Sequence, residues 1–300
     1  MPSFTFDELP TGLRRPILLL AFAGWNDAAE SATGAAKFLC ERWNARKLAS
    51  VDPDEFFNFQ QQRPQIKFRE GSRTEREIIW PVIEFFLSQE PTLPREVIVG
   101  VGAEPHLHWR AFASGVLELA RRCEVTLAIT LGALLAEVPH TRPLRITGYA
   151  SDVELRARLR VTPTRYEGPT GIVGVLNNAF RDAGLGTASV WANVPHYISS
   201  LANPHATLTL VRRVLDFLDW TTDLKELEEA GRHFDAQLTE ILKGNAKASR
   251  YVKELEARDL ETAEDEAPER AGGGELPNSA DLIRELEQFL RKPPPETGQN

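Results

Sequence analysis

Three stretches carry apolar residues almost without a polar break and close on glycine: 17–22 ahead of Gly24, Glu96–Gly102, and Glu124–Gly132. Runs of this kind have no solvated face, and so predict strands covered on both sides. Between them the period changes to 3.6. Ala32, Ala35, Ala36, Leu39 and Trp43 line one face of a helix over 30–45, and helices are expected over 108–123, 170–183 and 204–220. Shorter extended segments are read at 48–51, 56–59, 145–149 and 187–193, with 65–69 alternating like an edge strand and 78–81 leading into a helix over 82–88. Strands and helices alternating over short connections predict an α/β fold, a three-layer sandwich with a mainly parallel sheet.

Past Trp220 the pattern is only helical. Leu224, Leu227, Phe234, Leu238, Ile241 and Leu242 mark one amphipathic helix, and Ala248, Val252 and Leu255 a second. The expected organisation is an α/β core over 1–222, a helical hairpin extension over 223–258, and an acidic flexible linker over 259–278 that includes Gly272-Gly273-Gly274. Ser279 then caps a tethered amphipathic helix over 279–292, with Leu282, Ile283, Leu286, Phe289 and Leu290 on one side, ahead of a disordered tail over 293–300.

Composition locates the charge. The 300 residues are 42% apolar with a net charge of −8, and from Asp223 onward there are 11 Lys/Arg against 19 Asp/Glu, leaving 24 of each sign before it. The core is neutral and the extension is acidic. No basic stripe with interleaved aromatics supports nucleic-acid binding. Cys40 and Cys123 lack the paired spacing of zinc or redox motifs and read as small buried or half-buried fillers. Neither a signal-peptide pattern nor an apolar run of membrane-spanning length is apparent, so a cytoplasmic location is expected.

Polar residues collect in the loops that follow the apolar strands, where open α/β sheets bind ligands. The first loop offers Trp25, Asn26 and Asp27, the second Glu104, His106, His108 and Trp109, and the third His140, Thr141 and Arg142. Glu167 and Thr170 precede a helix, and His196 and Tyr197 follow the last core strand. The His-x-His pair at 106 and 108 is a weak metal signal beside the alternative that these rings bond loop backbone. Glu104 and Glu167 would suit general acid–base work if a pocket joined them, and Asp27 equally suits a helix cap. Neither a dinucleotide fingerprint, a phosphate-binding loop with its lysine, nor a nucleophile elbow is present, so no cofactor is expected and no reaction is named.

Five segments in order, 21–28, 102–105, 140–143, 166–171 and 194–197, resemble the proteasome assembly chaperone 2 family in its actinobacterial branch. The resemblance implies a core similar to purine nucleoside phosphorylases and related hydrolases, and homo-oligomers, with a trimer as the first expectation. Eukaryotic relatives help to assemble the proteasome α-ring. Some archaeal relatives engage proteasomes through a terminal hydrophobic-Tyr-any tripeptide, which the closing Gly298-Gln299-Asn300 does not match. Two functions follow: an oligomeric, non-enzymatic scaffold or assembly chaperone that meets a protein partner through 279–292, or a small-molecule binder or phosphorylase/hydrolase-like enzyme at the strand-end crevice. The first is preferred, because neither nucleophile nor cofactor motif accompanies the crevice.

Overall fold

The computed structural model describes residues 4–7, 10, 12–199 and 201–264. Its elements follow in chain order. The amino-terminal half contains β1 (Phe4–Phe6), β2 (Ile17–Ala23), α1 (Ser31–Arg42), β3 (Arg46–Val51), α2 (Pro53–Phe56), β4 (Gln65–Phe68), β5 (Arg76–Ile79), β6 (Ile83–Leu87) and β7 (Val97–Ala103). Next come α3 (Trp109–Arg122), β8 (Leu127–Ala136), β9 (Ile146–Ala150), α4 (Val153–Leu159), β10 (Thr162–Pro163), α5 (Ile172–Asp182), β11 (Gly186–Pro195), α6 (Pro204–Leu218), α7 (Lys225–Lys243) and α8 (Ala246–Glu264).

Nine strands form one sheet in the order β1-β3-β6-β7-β2-β8-β11-β9-β10. The apolar runs occupy its middle, where β7, β2, β8 and β11 are parallel neighbours. Alternate residues of β2 serve two cores. Ile17, Leu19 and Ala21 meet α1, α4 and α6, whereas Leu18, Leu20 and Phe22 meet α3 and α5. This is the expected three-layer arrangement, but the sheet is mixed rather than mainly parallel: β6 runs antiparallel to β7 and β3, β1 to β3, and β9 to β11. The segment from Ser88 to Glu96 is too short for a crossover helix, which makes β6 and β7 antiparallel.

Segment 82–88 is therefore strand, not helix. Ile83, Phe85 and Leu87 are buried while Glu84 and Phe86 are half-buried, a period of two that a short apolar run hides. The extended reading of 56–59 also fails. Asp52 accepts the Asp54 N–H at 3.0 Å and Pro53 occupies the first turn, so α2 ends at Phe56 before a loop. The strand expected at 65–69 forms, but in a separate two-stranded sheet with β5. The strands β1, β5 and β10 were not foreseen, nor was α4, which is capped where Asp152 accepts the Leu155 N–H at 2.8 Å.

The carboxyl-terminal helices α7 and α8 share a small core, Phe234, Leu238, Ile241, Ala248, Val252 and Leu255, with Tyr197 and Ile198. Helix α8 continues to Glu264, six residues into the segment expected as linker. The remainder of that linker, the helix at 279–292 and the tail at 293–300 lie outside the described residues. Cys123 is buried and Cys40 half-buried. Among the described residues no helix is long and apolar enough to cross a membrane.

Candidate functional site

At the carboxyl ends of β2, β8 and β11 lies a cavity of about 660 Å³. One carboxylate organises its edge. Glu104 Oε1 accepts both the Asn26 side-chain amide and the backbone N–H of Ile172, each at 2.7 Å. Ile172 is the first residue of α5, so the charge sits on the free donors and positive end of that helix. The contact needs Gly171. A Cβ there would stand 2.4 Å from Asn26 Oδ1 and 2.7 Å from Glu104 Oε1, closer than atoms can approach. Asn26 is 1% exposed and its Oδ1 has no hydrogen-bond partner, while its backbone carbonyl accepts the Ala133 N–H at 2.9 Å and ties this loop to β8.

The cavity floor is polar and internally bonded. Asn177 donates to Thr130 Oγ1 at 3.0 Å and accepts from the Thr187 hydroxyl at 2.9 Å; Ser189 Oγ accepts from Thr130 at 3.0 Å and from the Trp191 indole at 2.6 Å. Trp25, Leu135, Tyr149 and Tyr166 stand exposed around the mouth, and Thr170 completes the wall. Sequence reasoning found Trp25, Asn26, Glu104 and Thr170 but missed Asn177, Ser189, Trp191 and Tyr149. For Asn177 and Ser189 the only signal is a polar residue interrupting the apolar faces of α5 and β11; Trp191 and Tyr149 carry none.

The remaining candidates lie elsewhere. Asp27 turns from the cavity to cap α1, accepting the Ala32 N–H at 2.6 Å and the Thr33 N–H and hydroxyl. Burial raises its carboxyl above the ordinary value, against the opposing effect of those bonds. His106 Nδ1 accepts the Asn58 N–H at 3.1 Å, His108 opens α3 with a φ of 54°, and the Trp109 indole donates to the Pro105 carbonyl. These residues shape the loop after β7. Glu167 is exposed and outside the cavity wall. No three His, Cys, Asp or Glu among the described residues are placed to hold a metal.

His140, Thr141, His196 and Tyr197 form a second cluster that clasps α8. His196 Nδ1 donates to the Ala136 carbonyl and its Nε2 accepts the Tyr251 hydroxyl, both at 3.0 Å; His140 Nδ1 accepts the Tyr197 hydroxyl at 2.7 Å. Thr141 donates to Glu256 at 2.5 Å, and Arg142 lines a neighbouring cleft with His140 and His205. Burial depresses both ring pKa values below the usual 6.5, outweighing Asp235 and Glu256 around His140 and the Ala136 carbonyl and Glu137 around His196. Burial likewise pushes the Tyr197 hydroxyl up. Neutral rings satisfy this bonding pattern, with Nε2 of His196 and Nδ1 of His140 as the acceptors.

The family model described as PAC2 family matches residues 21–242, from β2 to the end of α7. The chain belongs to the PAC2 family. It is similar, with 36% identity over 79% of this chain and 99% of that one, to a PAC2 family protein from Streptomyces avermitilis, TM-score 0.72. A Mycobacterium tuberculosis proteasome-assembly chaperone homologue matches with the same identity and coverage, TM-score 0.71. Pyrococcus furiosus PbaB, an archaeal proteasome activator, is 16% identical over 80% of this chain and 98% of that one, TM-score 0.65, which establishes likeness of fold. No curated protein matches the sequence.

Two outcomes follow for this PAC2 chain. Glu104→Ala strands two donors and should cost about 2–3 kcal/mol in urea unfolding, whereas Glu104→Gln, which keeps an acceptor, should cost less; equal losses would remove the charge argument. For His140 and His196 the folded chain binds fewer protons than the unfolded one between their depressed pKa values and 6.5. Their contribution is complete above that upper limit and falls as the medium is acidified, by at most about 1.4 kcal/mol per pH unit for each ring. Limited proteolysis between α7 and α8 should accelerate below pH 6.5, and His196→Gln should flatten the profile.

Proposed function

We propose that this PAC2 chain is a homotrimeric, non-catalytic assembly factor that binds other proteins through apolar surface, with proteasome subunits as its client class. The observation that carries the reading is the β4–β5 hairpin. All four residues of β4 are exposed, and the register pairs Ile66 with Ile78 and Phe68 with Arg76 on one face, which Trp80 extends. An isolated two-stranded hairpin is marginal in water, and a contiguous apolar face of this kind marks a contact surface. In the proposed assembly a second copy covers this face, and residues 279–292 supply a further partner contact. The client class rests on the Mycobacterium tuberculosis relative, named as a proteasome-assembly chaperone homologue.

The cavity supports the non-catalytic part. Its walls hold Arg181 and two tyrosines but no His, Asp, Glu, Lys or Cys among the described residues, and the carboxylate at its edge, Glu104, is engaged by Asn26 and the Ile172 N–H. Ser189 has hydroxyl and indole neighbours instead of a base. The polar floor favours one second reading, a small-molecule binder on a core similar to purine nucleoside phosphorylases and related hydrolases.

Light scattering after gel filtration, with and without purified proteasome α subunits, tests the proposal. The wild type should elute at three chain masses and carry α subunits with it. Ile66→Ser/Ile78→Ser should elute as a single chain with unchanged circular dichroism and lose them. A monomeric wild type would overturn the hairpin's role, and a trimer indifferent to α subunits would overturn the client.

A further inference from the structure

A cleft of about 780 Å³ opens between α6, α7 and the loop that follows β8, and shares no lining residue with the strand-end cavity. Four arginines line it. Arg212 and Arg213 come from α6, Arg160 from the turn that ends α4, and Arg142 from the loop. The carboxylates on its walls are Asp216 and Asp235. Asp216 pairs with Arg160 and Asp235 with His205, while Arg212 pairs at 2.7 Å with Glu228, which stands outside the lining. The excess positive charge therefore falls on Arg142 and Arg213.

Arg142 is exposed and makes neither a hydrogen bond nor an ion pair among the described residues. Arg213 is half-buried, and its Nη1 donates to the carbonyls of Leu159 and Arg160, both at 2.7 Å, so its charge meets neutral partners. Burial and the charge of Arg160 both work against the Arg213 cation, with Asp216 opposing them. His140 adds one more donor. Its Nδ1 accepts the Tyr197 hydroxyl, so the neutral ring carries its proton on Nε2, on the wall of the cleft. The hydroxyls of Thr209 and Thr239 are engaged by the carbonyls of His205 and Asp235 at 2.7 and 2.8 Å. The donors left over are guanidinium and imidazole, which suit a charged acceptor. Like charges gathered in a concavity concentrate anions there, even in a chain of net charge −8. A guanidinium then holds phosphoryl or carboxylate oxygens through two parallel N–H bonds.

We propose that this cleft binds a small, multiply charged oxyanion, one bearing several phosphoryl or carboxylate groups, with Arg142 as its principal ligand and Arg160, Arg213 and His140 beside it. The volume lies within the range of about 300–1,000 Å³ typical of small-molecule sites. The site depends neither on the β4–β5 hairpin nor on which protein is the client.

Titration calorimetry and thermal unfolding of the full chain with sodium tripolyphosphate and with citrate, at matched ionic strength, test it. At least one of the two should bind at one site per chain and raise the unfolding midpoint by about 5 °C at a hundredfold excess over its Kd. The tighter of the pair distinguishes a phosphoryl from a carboxylate ligand. Arg142→Ala, at an exposed position without a partner, should leave the fold intact and weaken binding about tenfold or more, and Arg142→Lys, which keeps the charge but loses the fork, should weaken it less. Arg121→Ala, an exposed cation on α3, should bind like the wild type. Failure of both anions to bind would overturn the proposal, and so would an equal loss in Arg121→Ala, which would mean diffuse screening. Binding of a poly-glutamate peptide with neither small anion would overturn it in favour of an acidic protein segment. Each of these results leaves the trimer and its client untouched.

Discussion

The Glu104 carboxylate is the constraint on which the strand-end region depends. It stands at the end of one parallel strand, accepts the amide of Asn26 from the loop after another, and receives the first N–H of α5. Three connections from different parts of the chain are thereby fixed to one oxygen. Charge on a helix N-terminus contributes about 0.3–1 kcal/mol at the surface and more when partly buried. Two charge-assisted bonds add to that, and Gly171 is the residue that permits the approach. Because α5 is held there, Thr170, Asn177 and Arg181 on and before it become one wall of the cavity, facing β8 and β9.

The same region separates two roles that the sequence had placed together. Asn26 and Glu104 meet at the cavity edge, whereas His140 and His196 lie under α7 and α8 and hold those helices through Tyr197 and Tyr251. A histidine directly after a proline reads alike in either setting. Its role is decided by residues more than fifty positions away, and no local pattern carries that information. Asp27, by contrast, was legible: a carboxylate ahead of a small-residue helix suits a cap, and it caps.

Legibility followed the hydrophobic period. The apolar runs of β2, β7 and β8 could only be covered strands, and the three layers followed from their alternation with amphipathic helices. Segment 82–88 misled because five alternating residues flanked by further apolar positions fit both periods; pairing with β3 and β7 decides between them. Strand direction was equally hidden, since the short link from β6 to β7 dictates it through topology and not composition. The family resemblance was legible because five short segments kept their order, and each of them ends, follows or flanks a core strand or begins a helix.

Among the described residues, large apolar side chains stand exposed on the two-stranded β4–β5 hairpin and around the mouth of the strand-end cavity. Hydrogen exchange of the β4–β5 hairpin as a function of protein concentration measures most directly whether a second copy covers it. The account predicts that amides across the pairs from Gln65 to Phe68 and Arg76 to Ile79 become protected as concentration rises and the chains associate. Exchange that remains fast and independent of concentration would contradict it.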